Sequence, residues 1–522
     1  MIMKRFEMLY TIRRRPEYVW DMIIVGGGAT GVGVAVDASS RGYKTLLLEQ
    51  HDFGAGTSSR STKLVHGGVR YLQQGNITLV LESLKERGLM HQNAPHLVHD
   101  QLFIVPNYTW WEAPFYGIGL RLYDILAGKY GFGRSMNLSK EATVERIPTL
   151  ETKGLIGGVS YHDGQFDDSR MVINLAETAA GQGGVLINYM KVTGLKKSGE
   201  FLGGVEVRDM ESGDSYSLNA KVVINATGAF SDTIRKMDDE HSQPMIEPSQ
   251  GVHIVLDKSF LPGETAIMVP HTDDGRVLFA IPWHECVIIG TTDTPISDVV
   301  LEPSPLDEEL DFLFTHAERY LTKKPTRRDA LSVFAGIRPL VRAGGVENTA
   351  SLSRDHTINI SRSGLVTIAG GKWTTYRKMA EDCVDQASFV AGLDEVPCVT
   401  KELNVHGYHR HADEFGDLAI YGSDALALQN LIDSDPRYQE RLYPDRPVKA
   451  GEVIWAVRNE AAQTVEDFLA RRTRCLLLGA KISIQMVPKV AQLMMEELGY
   501  DDVWRQQQII AYTEFAQNYI LD

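Results

Sequence analysis

The sequence predicts an α/β and α+β protein: a Rossmann-like dinucleotide-binding domain, a mixed β-sheet domain inserted into it, and a C-terminal all-α domain. Three observations predict this. Residues 21–49 read as one strand–glycine turn–helix–strand unit. Strand-type patterns dominate residues 203–256 and recur as far as residue 369. After about residue 404 the apolar residues fall at helical spacing instead.

The N-terminal residues 1–15 carry Lys4, Arg5, Arg13, Arg14 and Arg15 against Glu7 alone, with Phe6, Met8, Leu9 and Tyr10 between them. They read as a basic arm, either solvated or laid on anionic lipid. No signal-peptide core follows.

In residues 21–49, Met22 to Val25 are wholly apolar, as a buried parallel strand requires. Gly26, Gly28 and Gly31 supply the turn: a tight bend, backbone approach to a diphosphate, and close packing of helix on strand. Ala29 and Thr30 open a helix that runs to about Arg41, where Gly42 ends it. The unpaired N–H groups and dipole of its first turn suit a diphosphate. Lys44 to Leu48 form the second strand. Glu49 closes it and can accept hydrogen bonds from both hydroxyls of an adenosine ribose. The glycine fingerprint does not by itself separate FAD from NAD.

Residues 54–75 are rich in Gly, Ser and Thr and then turn basic and aromatic, with Lys63, His66, Arg70 and Tyr71 close together. Such a loop carries function. Residues 77–93 read as a helix. In residues 110–133, Phe115, Ile118, Leu122 and Ile125 recur at steps of three and four, one helix face. Core packing is the first reading of that face, and a membrane interface the alternative.

Val222 to Asn225 form a strand running into Ala226-Thr227-Gly228. Further strands are read at residues 251–256, 287–292 and 365–369, and a helix at 307–322. Gly370-Gly371-Lys372-Trp373-Thr374-Thr375 opens a helix through Val384. In the C-terminal region Val457, Ala461, Val465 and Phe468 stand at the spacing of one helix.

Composition narrows the function. The chain has 522 residues, enough for two or three domains, with 43% hydrophobic and 23% charged residues. A net charge of -15 argues against nucleic acid as a partner. Cys286, Cys383, Cys398 and Cys475 lie far apart without a C-x-x-C, which argues against a disulfide scaffold or a metal site and fits a reducing compartment. No apolar run approaches the roughly 18 residues of a membrane span.

Taken together, GGGATGVGVAVDASSRG, TSSRSTKLVHGGVRYL, INATGAFSD, GVHIVL, IIGTTDTP, AGIRPL, SRDHTI and AGGKWTTYRKMAE, in this order, resemble the FAD-dependent glycerol-3-phosphate dehydrogenases, within the D-amino-acid-oxidase-like flavoproteins. EVIWAVRNEAAQTVEDFLARRTR resembles that family's terminal helical domain. The resemblance implies a two-dinucleotide-binding-type FAD domain made of residues 1–95, 165–235 and 340–400. It implies a substrate domain of 96–164 and 236–339, and a helical domain of 404–522.

The reaction it implies is oxidation of sn-glycerol 3-phosphate to dihydroxyacetone phosphate. Hydride passes from C2 to flavin N5, and electrons go on to a membrane quinone. A peripheral position on a lipid surface, at the inner face of the cytoplasmic membrane, is implied too, with a homodimer as the assembly considered. The alternatives are an oxidase that gives hydrogen peroxide, and a silent FAD-binding protein at the membrane. The compactness of residues 338–372 favours the dehydrogenase.

The resemblance implies that FAD meets Gly26, Gly28, Ala29, Thr30, Gly31, Glu49 and Gln50, then Thr57, Ser58, Ser59, Thr62, Lys63, His66, Gly67 and Gly68. It further implies Ala226, Thr227, Gly228, Asp293, Gly371, Lys372, Trp373 and Thr374. For a small dianion, Arg70, Tyr71, Arg338, Arg354 and Lys372 are the candidate ligands, because arginine forks grip phosphate. His253 and His66 are the candidate bases, since histidine titrates near neutral pH. Arg338 ranks behind them as a base and is expected to steady the developing alkoxide.

Overall fold

The computed structural model describes residues 3–69, 72, 76–270, 272, 276–342 and 356–521. The apolar run before the glycine turn forms the strand Val19–Val25, buried from Trp20 onward, as befits a central strand of a sheet whose faces are covered. Thr45–Leu48 runs parallel on one side of it with Val185–Ile187 beyond, and Ser215–Asn225 on the other with Val366–Gly370 beyond. Met190–Ser198, Phe201–Asp209 and His356–Ile360 join this sheet by antiparallel pairing, which makes eight strands among the described residues. The helix Ala29–Ser40 packs between Asp168–Gly181 and Tyr376–Val390.

Among the described residues a second sheet has ten strands. Its long strand Ile246–Asp257 lies between Ala330–Val341 and Cys286–Gly290, antiparallel to both. The register sets Ser249 opposite Arg338, Gly251 opposite Gly336 and His253 opposite Phe334. Val98–Asn107 and Gly157–Phe166 extend the sheet, and Leu64–Val65 pairs at its far edge. The loop that leaves the first βαβ unit therefore ends in the second sheet.

The C-terminal region is helical, with Ala450–Asn459, Ala480–Leu498 and Asp502–Gln517 its long elements. Its apolar core runs without a break onto Val255, Trp283, Ile288 and Phe334 of the second sheet. The α/β and α+β class, with helices at the C-terminus, is as the sequence predicts.

Three local readings change. Val457, Ala461, Val465 and Phe468 do not share a helix: the first helix ends at Asn459, and Ala461 has φ 55°. The carboxylate of Asp467 accepts the N–H groups of Gln463 and Thr464 at 2.7 and 3.1 Å, which stabilises the break.

The basic N-terminus is not an arm. It is the helix Arg5–Arg14, with Met8, Leu9 and Ile12 buried. Arg5 pairs with Asp209 at 2.6 Å and Arg13 with Asp214 at 2.9 Å. Two of the five cations in residues 1–15 are thus paired with acids elsewhere in the fold.

The stripe at residues 115–125 does not pack in the core. On the helix Glu112–Ala127, the buried face is Tyr116, Leu120 and Tyr123. Phe115, Ile118, Leu122 and Ile125 are 51%, 70%, 43% and 74% exposed. Both faces are apolar, so spacing alone could not say which was inward. The stretch 338–372, read as compact, is described only up to 342 and from 356.

Candidate active site

A cavity of about 910 Å³ runs from the glycine turn to the long strands of the second sheet. At one end the strand Val19–Val25 hands over to Gly26, whose φ is 110°. A Cβ there would stand 2.7 Å from the carbonyl oxygen of Ala226. A Cβ at Gly31 would overlap the carbonyl oxygen of Gly26. The two glycines let strand, helix and the 226–228 turn meet. Ala226 donates its N–H to Val25 O at 2.9 Å, which closes the A-T-G turn onto the same place.

Ser58 reaches in from the following loop and accepts the Ala29 N–H at 2.9 Å. Glu49 is held from two sides: Oε2 accepts the Gly27 N–H at 2.6 Å and Oε1 the His51 N–H at 2.8 Å. Burial raises its carboxyl above the usual range, against the pull of these bonds. Each oxygen keeps acceptor capacity for a hydroxyl donor.

At the middle of the cavity, Gly370 and Gly371 have φ 78° and 69°, and a short turn at Trp373–Thr375 leads into the helix Tyr376–Val390. Trp373 Nε1 donates to Ser58 O at 2.9 Å, and Thr374 Oγ1 lies 3.3 Å from the backbone N of His66. The expected helix opening at residues 370–375 is therefore locked to the Ser/Thr-rich loop.

At the far end stand His253 and Arg338, on adjacent strands and four residues apart in register, both on the cavity wall. Arg338 Nη2 donates to Thr292 O at 2.8 Å and Thr291 Oγ1 at 3.0 Å. Its Nη1 donates to Gln250 O at 3.2 Å and Asp293 Oδ1 at 3.3 Å. Such a guanidinium cannot swing freely. His253 shares a hydrogen bond with Thr62 Oγ1 at 2.9 Å, and its ring stacks on Phe334 at 4.8 Å between centroids. Burial first, then the charges of Lys63 and Arg338, hold its imidazole well below the ordinary histidine range. A neutral imidazole can accept a proton.

The cavity brings together most of the residues expected from sequence. Gly26, Gly28, Ala29, Thr30, Glu49, Gln50, Thr57, Ser58, Thr62, His66 and Gly68 line it, as do Ala226, Thr227, Gly228, His253, Asp293, Arg338, Gly371, Lys372, Trp373 and Thr374. Gly31, Ser59, Lys63 and Gly67 do not. Gly31 is filled by the backbone of Gly26. Gly67 donates its N–H to Tyr123 Oη at 2.8 Å.

Lys63 is the plain correction. Its side chain turns away from the cavity, is fully buried, and bonds Asp168 at 2.6 Å and Ser59 O at 2.8 Å. Burial pushes its ammonium down to about 7 against the pull of Asp168. Arg70, Tyr71 and Arg354 lie outside the described residues. Arg60, Arg276 and Thr291 line the cavity without having been singled out. Arg60 and Thr291 stand inside TSSRSTKLVHGGVRYL and IIGTTDTP, so those motifs mark their segments without marking the side chains, whereas Arg276 stands in none of the quoted motifs.

The geometry fits FAD. A diphosphate has a helix N-terminus cleared by glycines, a ribose has the Glu49 carboxylate, and a cavity of this size has room left for a small substrate. Fold and cavity define a dinucleotide-dependent oxidoreductase.

Comparison with known proteins narrows the class. The profile of the FAD dependent oxidoreductases matches residues 21–377, and that of the C-terminal domain of alpha-glycerophosphate oxidase matches 366–505. Mouse mitochondrial glycerol-3-phosphate dehydrogenase is 39% identical over 98% of this chain and 75% of its own length. A probable mitochondrial glycerol-3-phosphate dehydrogenase of Caenorhabditis elegans is 40% identical over 97% and 74%. The solved glycerol-3-phosphate dehydrogenase from Bacillus halodurans, complexed with FAD, superposes with a TM-score of 0.80 at 28% identity, over 99% of this chain and 98% of that one. The chain belongs to the FAD-dependent oxidoreductases, in the family of the glycerol-3-phosphate dehydrogenases, and FAD is its cofactor.

Proposed function

We propose that this enzyme oxidises sn-glycerol 3-phosphate to dihydroxyacetone phosphate and passes the electrons to a membrane quinone. The observation that carries the reading is that a rigidly held Arg338 and a buried, hydrogen-bonded His253 share the end of the cavity away from the nucleotide turn. Relatives about 39% identical bear the name of that activity. Bound FAD supplies the acceptor for the hydride that leaves C2. Arg338 and Lys372 bind the substrate's oxygens, with Arg70, Tyr71 and Arg354 as further ligands. His253, or His66, also on the cavity wall, takes the hydroxyl proton. The discontinuous division into FAD, substrate and helical domains is part of the same reading.

The test is anaerobic mixing of the purified flavoprotein with glycerol 3-phosphate. Loss of the oxidised flavin absorbance is expected, with recovery on adding a short-chain quinone. Stoichiometric hydrogen peroxide in air would make it an oxidase. No bleaching at all would remove the substrate assignment.

A lipid surface is part of the proposal, and the exposed face of the helix Glu112–Ala127 supports it. Trp110 and Trp111 precede that face, and Ile77 and Leu81 are exposed on the neighbouring helix Ile77–Asn93. No described helix is long and apolar enough to cross a membrane. Such an in-plane helix buries its apolar face at the headgroup boundary. Arg5 and Arg13 are already paired, so binding to vesicles is expected to resist salt. Ile118→Glu with Ile125→Glu is expected to abolish vesicle co-sedimentation while leaving anaerobic flavin reduction by glycerol 3-phosphate intact. Undiminished vesicle binding by that variant would refute the surface.

A further inference from the structure

We propose that the C-terminal helical region positions the active-site loop, and that Arg474 is the residue through which it acts. The inference rests on the substrate reading above. Arg474 lies far outside the matched oxidoreductase segment, which ends at residue 377.

The loop 57–66 has two sides. Ser58, Thr62 and His66 line the cavity, whereas Ser59 and Lys63 do not. Behind the loop, Asp168 and Arg474 form one buried node. Asp168 Oδ2 accepts the Ser61 N–H at 3.0 Å, the Ser61 hydroxyl at 2.7 Å and the Lys63 ammonium at 2.6 Å. Arg474 Nη2 donates to Asp168 Oδ1 at 3.0 Å and to Ser59 O at 2.7 Å. The loop backbone is thereby tied at Ser59 and Ser61, immediately beside Thr62, whose hydroxyl holds His253 Nε2.

The node also underlies the histidine itself. Lys63 Nζ stands 5.0 Å from the centre of the Phe334 ring, and that ring stacks on His253. Arg474 sits over Trp283 at 5.6 Å, next to the same cluster. Its own φ is 61°. A bulky residue stays in that left-handed conformation only where its surroundings over-determine it.

A second contact reaches the loop from the chain's end. Arg60 binds Glu302 and Leu301 O, and Tyr519 Oη donates to Glu302 at 2.8 Å. Tyr519 is itself anchored by its carbonyl, which accepts the Val333 N–H at 2.9 Å. The loop is thus gripped at Ser59, Arg60 and Ser61 by Arg474, Glu302 and Asp168, none of which lines the cavity. A small displacement of bound groups by a distant change can cost up to about a hundredfold in rate. The nucleotide cradle at residues 26–31 and Glu49 makes no bond to Asp168 or Arg474, and meets the loop through Ser58, which accepts the Ala29 N–H at 2.9 Å.

The test is Arg474→Lys in the holoenzyme. Lysine keeps the charge but cannot donate to Ser59 O and Asp168 in the same geometry. FAD stoichiometry is expected to be unchanged, and the rate of anaerobic flavin reduction by glycerol 3-phosphate to fall about tenfold or more. Because the effect runs through Thr62, adding Thr62→Val to Arg474→Lys is expected to slow reduction little further.

Wild-type reduction rates in Arg474→Lys, or losses that multiply in the double variant, would overturn the proposal. If Arg474→Lys fails to fold, Tyr519→Phe decides. It removes one hydroxyl, and about a threefold fall in reduction rate with full FAD content is expected; an unchanged rate refutes the idea. Bleaching of the wild type by glycerol 3-phosphate is measured first, so failure of the substrate reading is seen separately.

Discussion

Gly31→Ala protein is expected to be recovered colourless. The methyl group would overlap the carbonyl oxygen of Gly26 and lie 2.9 Å from its carbonyl carbon. Backbone cannot rotate aside as a side chain can. Gly26 cannot retreat either, because it is itself seated against the Ala226 carbonyl with φ 110°. Inserting even one carbon into a packed site costs about 1–3 kcal/mol, and more where only backbone can yield. The helix Ala29–Ser40 must move off the strand, and its N-terminal N–H groups leave the diphosphate position. The shift also reaches the ribose end, since Gly27 holds Glu49 at 2.6 Å. The check is the chromophore released per mole of protein on denaturation. Gly119→Ala is the control: a Cβ there meets nothing within 4 Å, so that protein should stay yellow. Full flavin content in Gly31→Ala would show that the turn does not bind the cofactor.

Arg338→Lys should cost about one to two powers of ten in kcat/KM, because a charge-assisted hydrogen bond is worth roughly 1.5–3 kcal/mol. Its guanidinium spans Gln250 O, Thr291, Thr292 O and Asp293, and is aimed by them. A single ammonium cannot serve those acceptors and a substrate oxygen together. If the bond serves ground and transition states alike, KM rises and kcat holds; if it steadies the alkoxide, kcat falls. FAD content should not change, since the cradle lies at the other end of the cavity. An unchanged kcat and KM would remove Arg338 from the substrate's contacts, and loss of flavin would make it a cofactor support instead.

Some of this was legible without coordinates because the physics is local. A buried strand, a glycine turn and a helix at residues 21–49 follow from apolar spacing and from the space that a diphosphate needs. Residues 226–228 and 370–375 were legible as turns toward the same cofactor, through their glycines and their resemblance to a known family. Neither periodicity nor composition could give more than that.

Spacing shows which residues share a helix face, not what lies opposite. The spacing of Phe115, Ile118, Leu122 and Ile125 therefore reads as core, while Tyr116, Leu120 and Tyr123 take the inward side. Charge counts show a basic segment but not its partners, so Arg5 and Arg13 were unpaired until Asp209 and Asp214 came beside them.

The largest gap is the node behind the active-site loop. The resemblance groups Lys63 with its cofactor-facing neighbours in the motif. Only folding shows that it points the other way, to Asp168 and toward Arg474. From sequence alone came the elements and the cofactor class, since both depend on short-range sterics. Which side of each element faces the substrate, and what holds it there, was decided by contacts between residues hundreds of positions apart.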